Sequence, residues 1–250
     1  MVVLVSGFVD VTFVVKTEVT KFQKFHEEWH EHLRELVQQM SKLPKSCTTN
    51  QDEQNTKLLI QKVISHINEY YRVKSLAAKN DILYIFSAPW SNSLERSLYW
   101  IAGWRPTTAF HIIYSECGIH LESHITNILN RFRNSDLADL SPNQLTRFSE
   151  LQCETIQREN NITEQLSDWQ DSANDIIENI DKKMETLVGI LERADEVRLN
   201  TLHNLVHLLT PQQLLEFLIA ATQLLFGIRS WGINHDNQRV KGSDVSVLKF

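Results

Sequence analysis

Seven glycines and five prolines are all the punctuation in a chain of 250 residues, and that scarcity constrains the fold more than any motif does. Sheets and nucleotide-binding α/β folds need many tight turns, and tight turns draw on Gly and Pro. Long unbroken segments therefore predict helices. Hydrophobic residues make up 42% of the chain and charged residues 22%, which is enough apolar material for a packed core. The length suits one large domain or two small ones.

Periodicity places the helices. Phe22, Phe25, Trp29, Leu33, Leu36 and Val37 recur at steps of three and four, so they share one face of a helix running from about Val19 to Leu43. A second pattern, with Leu58, Leu59, Val63, Ile64, Ile67, Tyr70 and Tyr71, starts near Glu53 and continues toward Phe86. Asn92 followed by Glu95 has the form of a capping box and opens a third helix expected to end at Gly103. Pro106 stands at the expected first position of a fourth, which holds Phe110, Ile113, Ile119 and Leu121. Two later starts share one grammar, Ser141-Pro142-Asn143-Gln144 and Thr210-Pro211-Gln212-Gln213. The hydroxyl accepts orphan N–H groups, and proline is harmless where no intrahelical donor is needed.

From Pro142 to about Asn200 there is no proline and Gly189 is the only glycine. The apolar stripe there predicts one long helix, the alternative being two joined by a slight break. Gln152, Glu159 and Lys183 fall on its seam, which favours packing inside a bundle over a coiled coil. The last helix runs from Pro211 to about Trp231 and is apolar on most sides, as a buried helix is. The expectation is an all-α bundle of six or seven helices, including one long helix at about 142–200. Its domain spans 19–232, preceded by an arm at 1–18 and followed by a flexible tail at 233–250. Val2 to Val15 is apolar and β-branched, broken by Asp10, and reads as a short strand-like arm or a misplaced start. It lacks the basic start of a signal peptide and the length of a membrane span.

Charge and motifs argue against several functions. The net charge is −6, without the basic excess that direct binding to DNA phosphates calls for. Cys47, Cys117 and Cys153 lie far apart with no C-x-x-C spacing, so reduced thiols are expected and not a disulfide framework or zinc ribbon. Glycine-rich phosphate loops and a nucleophile elbow are missing, and no enzyme is indicated. The sharpest counter-signal is His26-Glu27-Glu28-Trp29-His30, a literal H-E-x-x-H, which on a helix can hold zinc and activate water. Its setting on a first helix without a sheet makes a solvated His/Glu face the expectation. His120/His124 and His203/His207 repeat the i,i+4 spacing, and His203/His207 is the pair singled out for a metal or haem. No cofactor is otherwise expected.

The densest unusual stretch is Phe86 to Tyr114, where Trp90, Trp100 and Trp104 crowd with Tyr99 and Tyr114, and Arg105 follows Trp104 directly. Aromatics so gathered form either a core junction or a contact surface. Trp90, Trp100, Trp104 and Arg105 are the candidate partner or ligand surface.

The run Trp90 to Ser97, the block Trp100-Ile101-Ala102-Gly103-Trp104-Arg105-Pro106-Thr107, the segment Tyr70-Tyr71-Arg72-Val73-Lys74 and the helix starts at Ser141 and Thr210 resemble the plant Delay of Germination, or seed-dormancy control, domain. The resemblance covers about Lys21 to Gly232. The same domain forms the C-terminal part of TGA-class bZIP transcription factors. The resemblance implies a helical regulatory protein of seed dormancy and abscisic-acid signalling, in nucleus and cytoplasm, that binds type 2C protein phosphatases. It also implies, as alternatives, a transcription co-regulator that reaches DNA through a bZIP partner, since this chain has no basic region or zipper ahead of the domain, and a haem or small-molecule sensor. No membrane association is expected.

Overall fold

In the computed structural model the backbone is described for residues 6–44, 49–116, 140–172 and 179–246, and side chains for those between 21 and 239. All regular structure in these residues is helical: α1 (Ser6–Met40), α2 (Asn50–Asn80), α3 (Ile82–Ser87), α4 (Ser93–Leu98), α5 (helical over 108–116), α6 (Pro142–Asp171), α7 (Ile180–Leu208) and α8 (Pro211–Ser246).

Side-chain caps set several of these boundaries. Thr49, Asn92 and Ser141 each complete a capping box with the residue three positions on, Asp52, Glu95 and Gln144. Thr210 and Gln213 make the same reciprocal pair at the start of α8, at 2.9 and 3.3 Å. Asp81 ends α2 and opens α3, where its carboxylate accepts from the Tyr84 N–H.

Two antiparallel hairpins, α1–α2 and α6–α7, are the frame. Trp29 and His66 fasten the first: each ring nitrogen lies 2.9 Å from the other residue's carbonyl oxygen. Trp169 fastens the second by donating to the carbonyl of Lys183. One core gathers Leu33, Leu36, Val63, Phe110, Ile113, Phe148, Leu205 and Leu214. Another gathers Phe22, Ala78, Ile85, Ile162, Leu187 and Leu191 toward the other end. The two cores share the same long helices, so burying either requires the whole frame. The window Pro211–Arg239 in α8 is long and apolar enough to cross a membrane by length and composition. Its Leu214, Leu215, Phe217 and Leu218 are buried among the other helices, and its Arg229 is paired with Glu95.

Besides the number of helices, eight among the described residues where six or seven were expected, and the early stop of α4 at Leu98, four expectations need correction. The run at 142–200 is two helices, not one. Ser172 caps the end of α6, and the Asn179 side chain accepts from the Lys182 N–H to start α7. Such short polar side chains offer the backbone local partners that compete with a continuing helix. The strand-like arm is corrected by a helix from Ser6 onward, since a lone strand leaves its peptide groups unpaired while a helix satisfies its own. The last helix runs past its expected end at about Trp231. Helix α8 continues through Ser246, and at Asp236 its carboxylate accepts from the Ser93 N–H at 2.9 Å. The solvated histidine face is the fourth: His26 and His30 are both buried, while Glu27 and Glu28 point to solvent. The two histidines fall on the core stripe between Phe22 and Leu33. His120/His124, Cys47 and Cys117 lie outside the described residues.

Candidate functional site

The block Trp100–Thr107 follows α4 as an irregular corner, because the helix expected to reach Gly103 stops at Leu98. Ile101 and Ala102 then take left-handed backbone angles, φ 48° and 51°. A β-branched residue in that region is a conformational outlier, and each such residue costs about 1–3 kcal/mol unless its surroundings enforce it.

The enforcement comes from the α6–α7 hairpin. Arg198, 5% exposed, donates from Nη2 to the Ile101 carbonyl at 3.0 Å and from Nε to the Trp104 carbonyl at 2.8 Å. It also donates to the Trp100 carbonyl and to Asp195. Its guanidinium lies 5.2 Å from the centre of the Trp100 ring. A Cβ on Gly103 would stand 3.0 Å from Arg198 Cζ, so the glycine leaves room for this approach. Asp195 in turn accepts from Lys74 of α2 at 3.0 Å. Burial lowers the Lys74 ammonium to a pKa of about 8 against the opposing pull of Asp195. The neighbouring Tyr71 hydroxyl is pushed up to about 12, chiefly by burial.

The second anchor is Glu159 of α6, 0% exposed. It accepts from Arg105 Nε at 2.6 Å, from the Thr107 N–H at 2.7 Å and from the Thr107 hydroxyl at 3.2 Å. Trp100 Nε1 donates to Thr163 Oγ1 one turn further on. A carboxylate with three donors is a satisfied buried charge, which is the condition for keeping one inside a protein.

The four candidate residues thus separate. Trp90 is a packing residue, edge-on to Phe22 at 4.7 Å and 5.1 Å from Tyr84. Trp100 is half-buried under Arg198. Trp104, 43% exposed, and Arg105, half of whose side chain is exposed, form the outward edge of the corner. No periodic pattern links the corner to Lys74, Asp195 or Arg198. Glu159 did leave a signal, as a charged residue on an apolar seam.

His203 is half-buried and His207 exposed on α7. At 100° per residue they lie opposite the buried Thr201 and Leu205. Among the described residues no three of His, Cys, Asp and Glu gather as a metal site.

Comparison with known proteins adds likenesses of sequence to this geometry. Residues 31–115, which include the corner, match the family described as seed dormancy control. The chain is similar to the DOG1-like proteins of Arabidopsis thaliana. It is 24% identical to DOG1-like 1 over 88% of this chain and 92% of that protein, and 26% identical to DOG1-like 2 over 89% and 92%. It is also 25% identical to Arabidopsis transcription factor TGA2, over 80% of this chain and 59% of that protein.

Proposed function

We propose that the chain is a non-enzymatic regulator of the seed-dormancy type that acts by binding other proteins, with Trp104 and Arg105 as the contact edge. One observation carries this reading: an exposed indole stands on a strained backbone that a buried arginine holds in place. Strain of that kind persists where function selects it. Trp and Arg are also the residues that most often dominate binding energy at protein interfaces. Type 2C protein phosphatases, implied by the resemblance, are the first partners to seek, in nucleus and cytoplasm. The test is affinity capture from plant nuclear and cytosolic extracts with the wild-type chain and with Trp104→Ala. Phosphatases enriched by the wild type and lost with the variant are the expected result. Equal capture by both would remove Trp104 from the reading.

The likeness to TGA2 favours a second reading, a transcription co-regulator that reaches DNA through a bZIP partner. Enrichment of bZIP factors without phosphatases would put it first. A haem-sensor role through His203 and His207 predicts a Soret band in the purified protein that is lost in the His203→Ala, His207→Ala variant.

A further inference from the structure

At the far end of the α6–α7 hairpin lies a groove of about 630 Å³, within the range of small-molecule sites. Trp169 and Ile190 give it apolar walls, and among the described residues Lys182, Lys183 and Arg193 bring three cations to it against one carboxylate, Asp168.

Lys183 is the informative residue. It is 7% exposed, and its ammonium donates to the Trp169 carbonyl and the Ser172 hydroxyl while lying 5.0 Å from the Trp169 ring centre. No carboxylate among the described residues pairs with it. Other buried or half-buried cations show the contrast: Lys74 and Arg198 share Asp195, Arg105 has Glu159, and Arg229 has Glu95. A buried charge is costly unless it is paired or hydrogen-bonded; the hydrogen bonds of Lys183 go to neutral oxygens, so its charge is left for an anion to offset. Arg193 leans back over Gly189, where an added Cβ would stand 3.3 Å from its Nη1. The start of α7 adds the positive end of a 29-residue helix.

We propose that this groove binds a small organic anion, its carboxylate, sulfonate or phosphate held by Lys182, Lys183 and Arg193 and its flat apolar body lying on Trp169. The site is separate from the Trp104 corner and does not depend on the partner-binding reading.

The probe is 1-anilinonaphthalene-8-sulfonate, titrated by fluorescence into the full chain, with the uncharged N-phenyl-1-naphthylamine as its control. One-to-one binding of the sulfonate is expected, weakened by added salt. Loss of one charge-assisted contact weakens binding about tenfold, so Lys182→Glu and Arg193→Glu should each do at least that while far-UV circular dichroism stays unchanged. Lys182→Gln and Arg193→Gln serve where charge reversal disturbs folding. Inorganic phosphate at equal concentration should displace little of the dye, because it leaves the indole uncovered. Equal binding of the uncharged compound, or wild-type affinity in the variants, would overturn the anion site. Full displacement by equimolar phosphate would overturn the apolar half of the proposal.

Discussion

Arg198 shows how one side chain can decide the shape of a loop. Its guanidinium serves the carbonyls of Trp100, Ile101 and Trp104 and the Asp195 carboxylate at once. Removing it leaves Asp195 with Lys74 alone and uncovers three carbonyls, so Arg198→Met is expected to destabilise the fold by roughly 3–5 kcal/mol in urea unfolding. Arg198→Lys should recover only part of this, because an ammonium cannot span that fork. Trp104→Ala removes a ring that is 43% exposed and hydrogen-bonded to the buried Tyr71, and is expected to destabilise the fold by about 1–2 kcal/mol in the same assay. The corner that carries Trp104 and Arg105 was legible in the sequence as an unusual stretch because its aromatic crowding is local. Their anchors were not: Arg198 lies 94 to 98 positions from the carbonyls it holds, and Lys74 lies 121 from Asp195. Spacing along a chain carries no record of such meetings.

Helix starts were the most readable elements, because a cap is a contract between residues three apart. Ser141 and Thr210 hold their caps as the sequence implies, and beyond that Gln144 donates to the Leu208 carbonyl at 3.0 Å and to Gln213 Oε1 at 2.8 Å. The start of α6 is thereby tied to the α7–α8 junction. Thr210→Val should cost about 1 kcal/mol, the usual worth of a cap, and Gln144→Ala a similar amount, both read from urea midpoints. Helix ends were harder to place. The early stop of α4 follows from the Arg198 clamp, which is tertiary. Close approach of α4 to α8 is equally invisible in sequence: a Cβ on Gly232 would stand 2.0 Å from Asn92 Oδ1. Gly232→Ala must displace that cap or separate the helices, at a cost of about 1–3 kcal/mol.

For the whole molecule, the buried histidines set a limit on acid. His26 is held down to a pKa of about 2, by burial first and then by His30 and Arg229. His30 is held to about 3, by burial and then by Arg229, Arg34 and His66. Both are neutral in the folded state, whereas the unfolded chain protonates them below its ordinary value of about 6.5. Stability from this source is therefore complete above pH 6.5 and falls as the pH drops from 6.5 toward 3. Two groups give a slope of at most about 2.7 kcal/mol per pH unit. Urea unfolding at pH 7, 5 and 4 measures it, and a His26→Leu, His30→Leu variant should lose most of the slope.

The clamp on the corner has a kinetic consequence as well. Surface loops ordinarily exchange their amide hydrogens with solvent within moments, through small local openings. The Thr107 N–H is bonded to a buried carboxylate, and the carbonyls around it are gripped by a side chain rooted in α7. Freeing that amide means parting the corner from α6 and α7 together. In deuterium oxide it should keep time with the slowest core helices, so the proposed contact edge would be among the last parts of the molecule to loosen.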